Sequence, residues 1–340
     1  MKTRNGTKLV VIVMTILFMS SCGNKYNFKS SKEALDGCQE MLAELRKTKA
    51  ANVKELTKVM NNWQEIQDSC YSTFARDSSI NIHSKTASLY FTVSDSIRKE
   101  IQRLAFSQER TLEDVMYIKI NTATDREKIR KSPSWKKANE FFSSLNDKPL
   151  YDGVKATVGH YENLMTNTKS INSEKQLLDF MAEEDQCFRS LMVYLKQVPQ
   201  SVLQDLTQKT SKIYNDMYSR VGIKKDSIND ETMLYLTLRF NRRILQNAET
   251  CKTDIEKGAV LDTQAKGNYR WMLIQPFVTI DNYSFACLTD GQSKQIMELA
   301  KNLPEYLTYL DGGKSTEEQR NNLVKILSNY FLKNYLITTI

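Results

Sequence analysis

From Leu35 onward the apolar positions step by threes and fours: Leu35, Cys38, Leu42 and Leu45, then Lys49 and Asn52, then Leu56, Val59, Trp63, Ile66 and Cys70. Only Lys49 and Asn52 in this series are not apolar, and no Gly or Pro interrupts it after Gly37, so the spacing predicts one amphipathic helix with a heptad-like stripe. Its length is about 35 residues, roughly 53 Å at 1.5 Å per residue. Cys38 and Cys70 then stand about 48 Å apart on one straight rod and cannot pair within it. Asp77-Ser78-Ser79 reads as a turn, and Tyr90, Val93, Ile97, Ile101, Leu104, Leu112 and Val115 repeat a second stripe beyond it. Together they predict a long antiparallel hairpin in which Lys49 and Asn52 fix register or admit water. The other use of such a stripe is a seam for a second chain.

Further along, Ser132-Pro133 reads as a break with Pro at the first position of a new helix. Residues 146–172, with Pro149, Gly153 and Gly159, read as the longest irregular stretch and a subdomain boundary. Ser173-Glu174-Lys175-Gln176 fits a capping box opening a helix that stops near Pro199, and a further helix follows. Residues 230–257 alternate like a strand at Leu234, Leu236, Leu238 and Phe240, but their length and the continuing Leu245, Ala248 and Ile255 favour helix. In 269–288, Pro276 predicts a kink or a loop. Ser315-Thr316-Glu317-Glu318 reads as a capping box for a final helix whose apolar end, Tyr330 to Ile340, is expected to pack. With 11 Gly and 5 Pro in 340 residues, turn formers are too few for a many-stranded fold. The expectation is an all-α protein: a long N-terminal antiparallel helical hairpin with a basic connector over 32–146, continuing into a multi-helix bundle over 147–340.

The first 22 residues have a different character. Lys2, Arg4 and Lys8 precede an unbroken apolar run, Leu9 to Met19, with no acid before Cys22. That run suits a secretory signal and is shorter than the roughly 20 residues of a membrane-spanning helix. Met19-Ser20-Ser21-Cys22 resembles the lipobox of bacterial lipoproteins, with Met19 where that family most often has Leu. The resemblance implies diacylglyceryl transfer to the Cys22 sulfur, removal of residues 1–21, and acylation of the new amino terminus. One acyl chain holds a protein marginally, while two or three hold it stably. Gly23 stands where an Asp would favour inner-membrane retention in Gram-negative lipoproteins, which implies an outer-membrane address. Residues 22–31 are then a lipid-anchored tether without an acidic run, and the expected face is periplasmic.

Charge and chemistry add less. The formal charge is +8, and Lys2, Arg4 and Lys8 account for three of the excess positives, leaving about +5 on the remainder. Five cysteines follow Cys22: Cys38, Cys70, Cys187, Cys251 and Cys287. None has metal-type spacing, and small buried hydrophobes are their plainest use. Residues 119–137 hold seven Lys or Arg against two acids. Within them Lys128, Arg130, Lys131, Trp135, Lys136 and Lys137 are a candidate patch for an anionic lipid or cell-wall polymer. The plainer alternative is a solvated connector with Trp135 turned into a core. Gly312-Gly313-Lys314-Ser315 has Thr308 where a phosphate loop needs its first Gly, and two glycines ending one helix account for it better. His83 and His160 are the only histidines, and neither sits in a metal-ligand motif. Glu183-Glu184-Asp185 occupy consecutive helical positions that diverge, which reads as a solvated face. No catalytic residue, metal site, cofactor or nucleic-acid partner is expected. The functional expectation is a lipid-anchored, non-enzymatic envelope scaffold that binds an unknown protein partner. The alternative is a small-ligand protein or enzyme with a pocket among C-terminal helices, where Tyr269, Trp271, Phe277, Tyr283 and Phe285 concentrate.

Overall fold

The structure is a computed structural model that describes residues 26–122, 124–166, 173–220 and 230–338. The leader, Cys22 and Asn229 lie outside the described residues. Among the described residues the chain is all-α, a multi-helix bundle without a strand. It divides into two compact units. The first takes residues up to Glu127, Asp281–Ala286 and Ser293 onward, and the second takes Lys128–Ile280 and Cys287–Gln292. The first unit thus takes described residues from before and after the second, where the sequence put a single break near residue 146.

In the first unit, the predicted rod is two helices, α1 (Ser31–Lys47) and α2 (Val53–Arg76). The two polar positions of the stripe, Lys49 and Asn52, lie in the break. Asn52 caps α2 by accepting from the Glu55 N–H at 3.0 Å, and Glu55 Oε2 accepts from the Asn52 N–H at 2.9 Å. Such a capping box ends a helix without Gly or Pro because its side chains satisfy the first free N–H groups of the next helix. The far side of the turn is held by arginines. Arg103 Nη2 donates to the Leu45 and Thr48 carbonyls at 2.9 and 2.8 Å, and Arg110 Nη2 donates to the Ala51 carbonyl at 2.6 Å. A cation against the last carbonyls of a helix also opposes its negative dipole end.

The Asp77 turn stands as read: its carboxylate accepts from the Ser79 N–H and hydroxyl and from Ser31 Oγ, and those bonds lower its pKa. Helix α3 (Lys85–Phe106) then packs on α1, and α4 (Leu112–Asn121) packs on α2. Tyr90 is wedged edge-on between Tyr71 and Phe74. After α5 (Thr124–Lys131), which leads into the second unit, this unit is completed by α12 (Asn282–Ala286), α13 (Asp290–Leu310) from Ser293 onward, and α14 (Glu317–Thr338). Gly312 and Gly313, at φ +65° and +71°, end α13 as two left-handed residues. Thr316 caps α14, through reciprocal bonds with Gln319, one residue beyond the predicted box. Phe331, Leu332, Tyr335 and Leu336 are buried, as the apolar end required.

The second unit runs α6 (Pro133–Ser144), α7 (Val154–Thr166), α8 (Glu174–Val193), α9 (Gln200–Arg220), α10 (Asp230–Glu256) and α11 (Thr263–Thr279). Ser132 caps α6 with Pro133 at its first position. Two expectations are corrected. Much of the stretch read as irregular is α7, with Gly159 inside it and Gly153, at φ +80°, just before it. Of the two expectations at Pro276, the loop is overturned, because Pro276 lies within α11. The segment 230–257, where helix was favoured over a strand-like alternation, is helical over Asp230–Glu256 as α10. Its Leu234 and Leu238 join Trp135, Phe142, Tyr161, Phe180, Leu206 and Tyr214 in the core.

Candidate functional site

The N-terminal segment is seated rather than loose. Phe28 is buried and stacks on Tyr26 at 6.1 Å. Ser69 Oγ donates to the Tyr26 carbonyl at 2.6 Å, and Thr73 Oγ1 and Arg76 Nη2 donate to the Phe28 carbonyl at 3.2 and 3.3 Å. The Phe28 ring lies over Gly37, where a Cβ would fall 2.8 Å from its edge, so only glycine admits this approach. The tether expected over 22–31 is therefore bound to α1 and α2 from Tyr26.

The basic segment is split by the fold. Lys128, Lys131, Lys136 and Lys137 are exposed, on α5 and α6. Arg130 is half-buried, making a bidentate pair with Asp290 at 2.9 and 2.9 Å and lying 5.6 Å over the Trp135 ring. Trp135 is turned into the core, where Nε1 donates to the Cys287 carbonyl at 3.0 Å. Of the six candidate residues the four lysines are thus exposed, Arg130 is half-buried and Trp135 is buried. Lys119, counted with the same cluster, is buried in the first unit among Phe285, Phe331 and Tyr335.

The most elaborate polar arrangement is one the sequence reading missed. Glu183 is exposed, but Glu184 and Asp185 are buried. Glu184 Oε1 accepts from Tyr161 OH at 2.5 Å and from Arg243, while Oε2 accepts from Arg239 Nη2 at 3.0 Å and Tyr214 OH at 3.3 Å. Asp185 pairs with Arg189 at 2.9 Å and with Arg242 at 2.7 Å. Adjacent positions on α8 do diverge, as expected, yet each carboxylate meets its own arginines within the packed unit. Arg239, Arg242 and Arg243 stand at i, i+3 and i+4 on α10, one face of the helix. Their planes rest on aromatics, Arg239 3.7 Å over Tyr214 and Arg243 3.2 Å over Phe188. Burial pushes the Glu184 pKa up, but Arg239, Arg243 and the Tyr161 hydroxyl outweigh it and bring it down to about 2. Every carboxylate oxygen has a donor. The cluster joins α7, α8, α9 and α10 and is built to stay ionised, which suits a structural tie and not a proton-transfer group.

The start of α7 borders an open depression of about 730 Å³, whose polar lining includes Asp152, Lys155, His160 and Asn163. His160 stacks on Tyr151 at 4.1 Å. The aromatics proposed as a pocket are divided between the two units. Tyr269 and Phe277 are buried in the second unit and Phe285 in the first, while Trp271 and Tyr283 are 53% and 38% exposed. Among the described residues, no three His, Cys, Asp or Glu side chains are placed to hold a metal ion together. Comparison with protein-family models, with curated proteins and with solved structures returns no match.

Proposed function

We propose that the chain is a lipoprotein of the bacterial outer membrane, held by acyl chains on Cys22, facing the periplasm and working as a non-enzymatic scaffold for a protein partner. The observation that carries this reading is the leader: a basic start, an apolar run of signal length, and Cys22 directly after Ser20-Ser21. Its geometry is supported by the seating of Tyr26. Four residue steps separate Cys22 from that position, at most ~14 Å when extended, so the acyl chains would hold α1 and α2 close to the bilayer. No described helix is long and apolar enough to cross a membrane. Cys22→Ser is expected to abolish palmitate labelling and release the protein to the soluble fraction. Membrane retention without label would rule the anchor out.

The four exposed lysines supply the proposed contact with an anionic lipid or cell-wall polymer. Changing Lys128, Lys131, Lys136 and Lys137 to Gln is expected to weaken binding to phosphatidylglycerol vesicles by at least about tenfold at low salt, an effect that salt itself should erode. Equal binding by parent and variant would retire the patch and leave the anchor standing.

A further inference from the structure

The break between α1 and α2 brings together the two cysteines that a straight helix would hold far apart. Cys38 on α1 and Cys70 on α2 are fully buried, with their sulfurs 3.4 Å from each other. A disulfide bond is about 2.05 Å long, so about 1.4 Å of further approach would close it. Cys70 Sγ also lies 3.6 Å from the Ala34 carbonyl, so the thiol already points across the helix interface. We propose that Cys38 and Cys70 are joined by a disulfide in the mature protein. This rests on the reading above that the chain is exported to an oxidising compartment.

Both thiols lose their protons and together two electrons, forming one sulfur–sulfur bond. The electrons and protons pass to a disulfide-bearing thiol oxidase, which is reduced to its dithiol through a mixed disulfide. Closure belongs to folding rather than to the finished protein. Once packed, Cys70 is shielded, and its hydrogen bond to Cys38 together with burial raises its pKa far above the ordinary thiol range. The bond is therefore structural and not a surface switch.

Its position suits the anchor. Gly37, next to Cys38, forms the close seat of Phe28, and Ser69, next to Cys70, holds the Tyr26 carbonyl. A crosslink here would staple α1 to α2 beside the point where a membrane tether joins the body. Cys187, Cys251 and Cys287 would remain as thiols; all three are buried, and burial pushes Cys187 and Cys251 up to about 12.

The test uses the wild-type protein from acid-quenched cells, with free thiols blocked by N-ethylmaleimide in denaturant and digestion without reductant. The expected product is the Cys38 peptide linked to the Cys70 peptide, with the label on Cys187, Cys251 and Cys287. Reductant should lower the Tm of the purified protein by about 5–10 °C and leave a Cys38→Ser/Cys70→Ser variant unchanged. Label on both Cys38 and Cys70 in protein recovered from the envelope overturns the disulfide alone. The same labelling in protein recovered from the cytosol overturns the disulfide and also the export reading beneath it.

Discussion

Glu184→Gln is expected to destabilise the second unit by about 3–5 kcal/mol, because it removes a buried charge that two half-buried guanidiniums require. The volume hardly changes, so the loss would measure uncompensated charge rather than a cavity. Arg239 and Arg243 would keep their places over Tyr214 and Phe188 but would face a neutral amide. Glu183→Gln, one position earlier on the exposed side of α8, is the control and should change stability by less than about 0.5 kcal/mol. The pH dependence has a defined sign. The Glu184 pKa is about 2 in the folded chain against an ordinary 4.5, so the unfolded chain binds more protons between those values. The contribution is therefore fully present above about pH 4.5 and is lost as pH falls towards 2, a change of about 3 kcal/mol. Urea unfolding of parent and variant from pH 7 to pH 2.5 would read both effects. The gap between the curves should narrow on acidification. A constant gap would mean that Glu184 contributes packing rather than charge.

That network also marks where sequence reasoning stops. The all-α class was legible because apolar residues repeat at helical spacing and turn formers are few. The Asp77 turn, the Ser132-Pro133 start and the buried C-terminal face were legible because each is a local pattern with local chemistry. The break after Lys47 was harder, since a stripe keeps its phase when a helix folds back and starts again. Its signal was present: Asn52 with Glu55 three residues later is a capping box, and Asn52 was one of the two polar positions in the seam. The proximity of Cys38 to Cys70 followed from that turn and could not be read without it. Glu184 and Asp185 were misread for a related reason. Adjacent carboxylates diverge on any helix, and what decides their burial is a matching arginine face about 55 residues later. The spacing of Arg239, Arg242 and Arg243 along one face of α10 was the available clue. The lysine patch shows the same limit, because charge counts do not distinguish four exposed lysines from Arg130, which is half-buried, or from Lys119, which is buried.

Lys119→Met is expected to stabilise the first unit by about 1–3 kcal/mol at pH 7. Lys119 is 6% exposed, and its Nζ lies 5.1 Å from the Phe285 ring centre, 5.0 Å from Phe331 and 5.9 Å from Tyr335. Ring faces attract a cation, but less well than the water they replace. Burial accordingly lowers the amine's pKa to about 8, against a smaller upward pull from Asp281. Met has a similar reach, packs against aromatic rings and carries no charge to desolvate. The pH signature separates this account from simple repacking. Between pH 8 and the ordinary 10.5, the unfolded chain holds a proton on this amine that the folded chain has released. The penalty is therefore complete below about pH 8 and fades as pH rises to 10.5, giving the parent about 3 kcal/mol relative to the variant over that interval. Taking the difference between parent and variant at each pH cancels the tyrosines and cysteines that titrate in the same range. If the two denaturation curves stay parallel from pH 7 to 10.5, the amine is not carrying a desolvation penalty. If they converge, the contact between α4 and α14 holds a charge at the expense of stability, and Lys119 joins Glu184 as an ionised group that a bundle of this composition has enclosed rather than left in solvent.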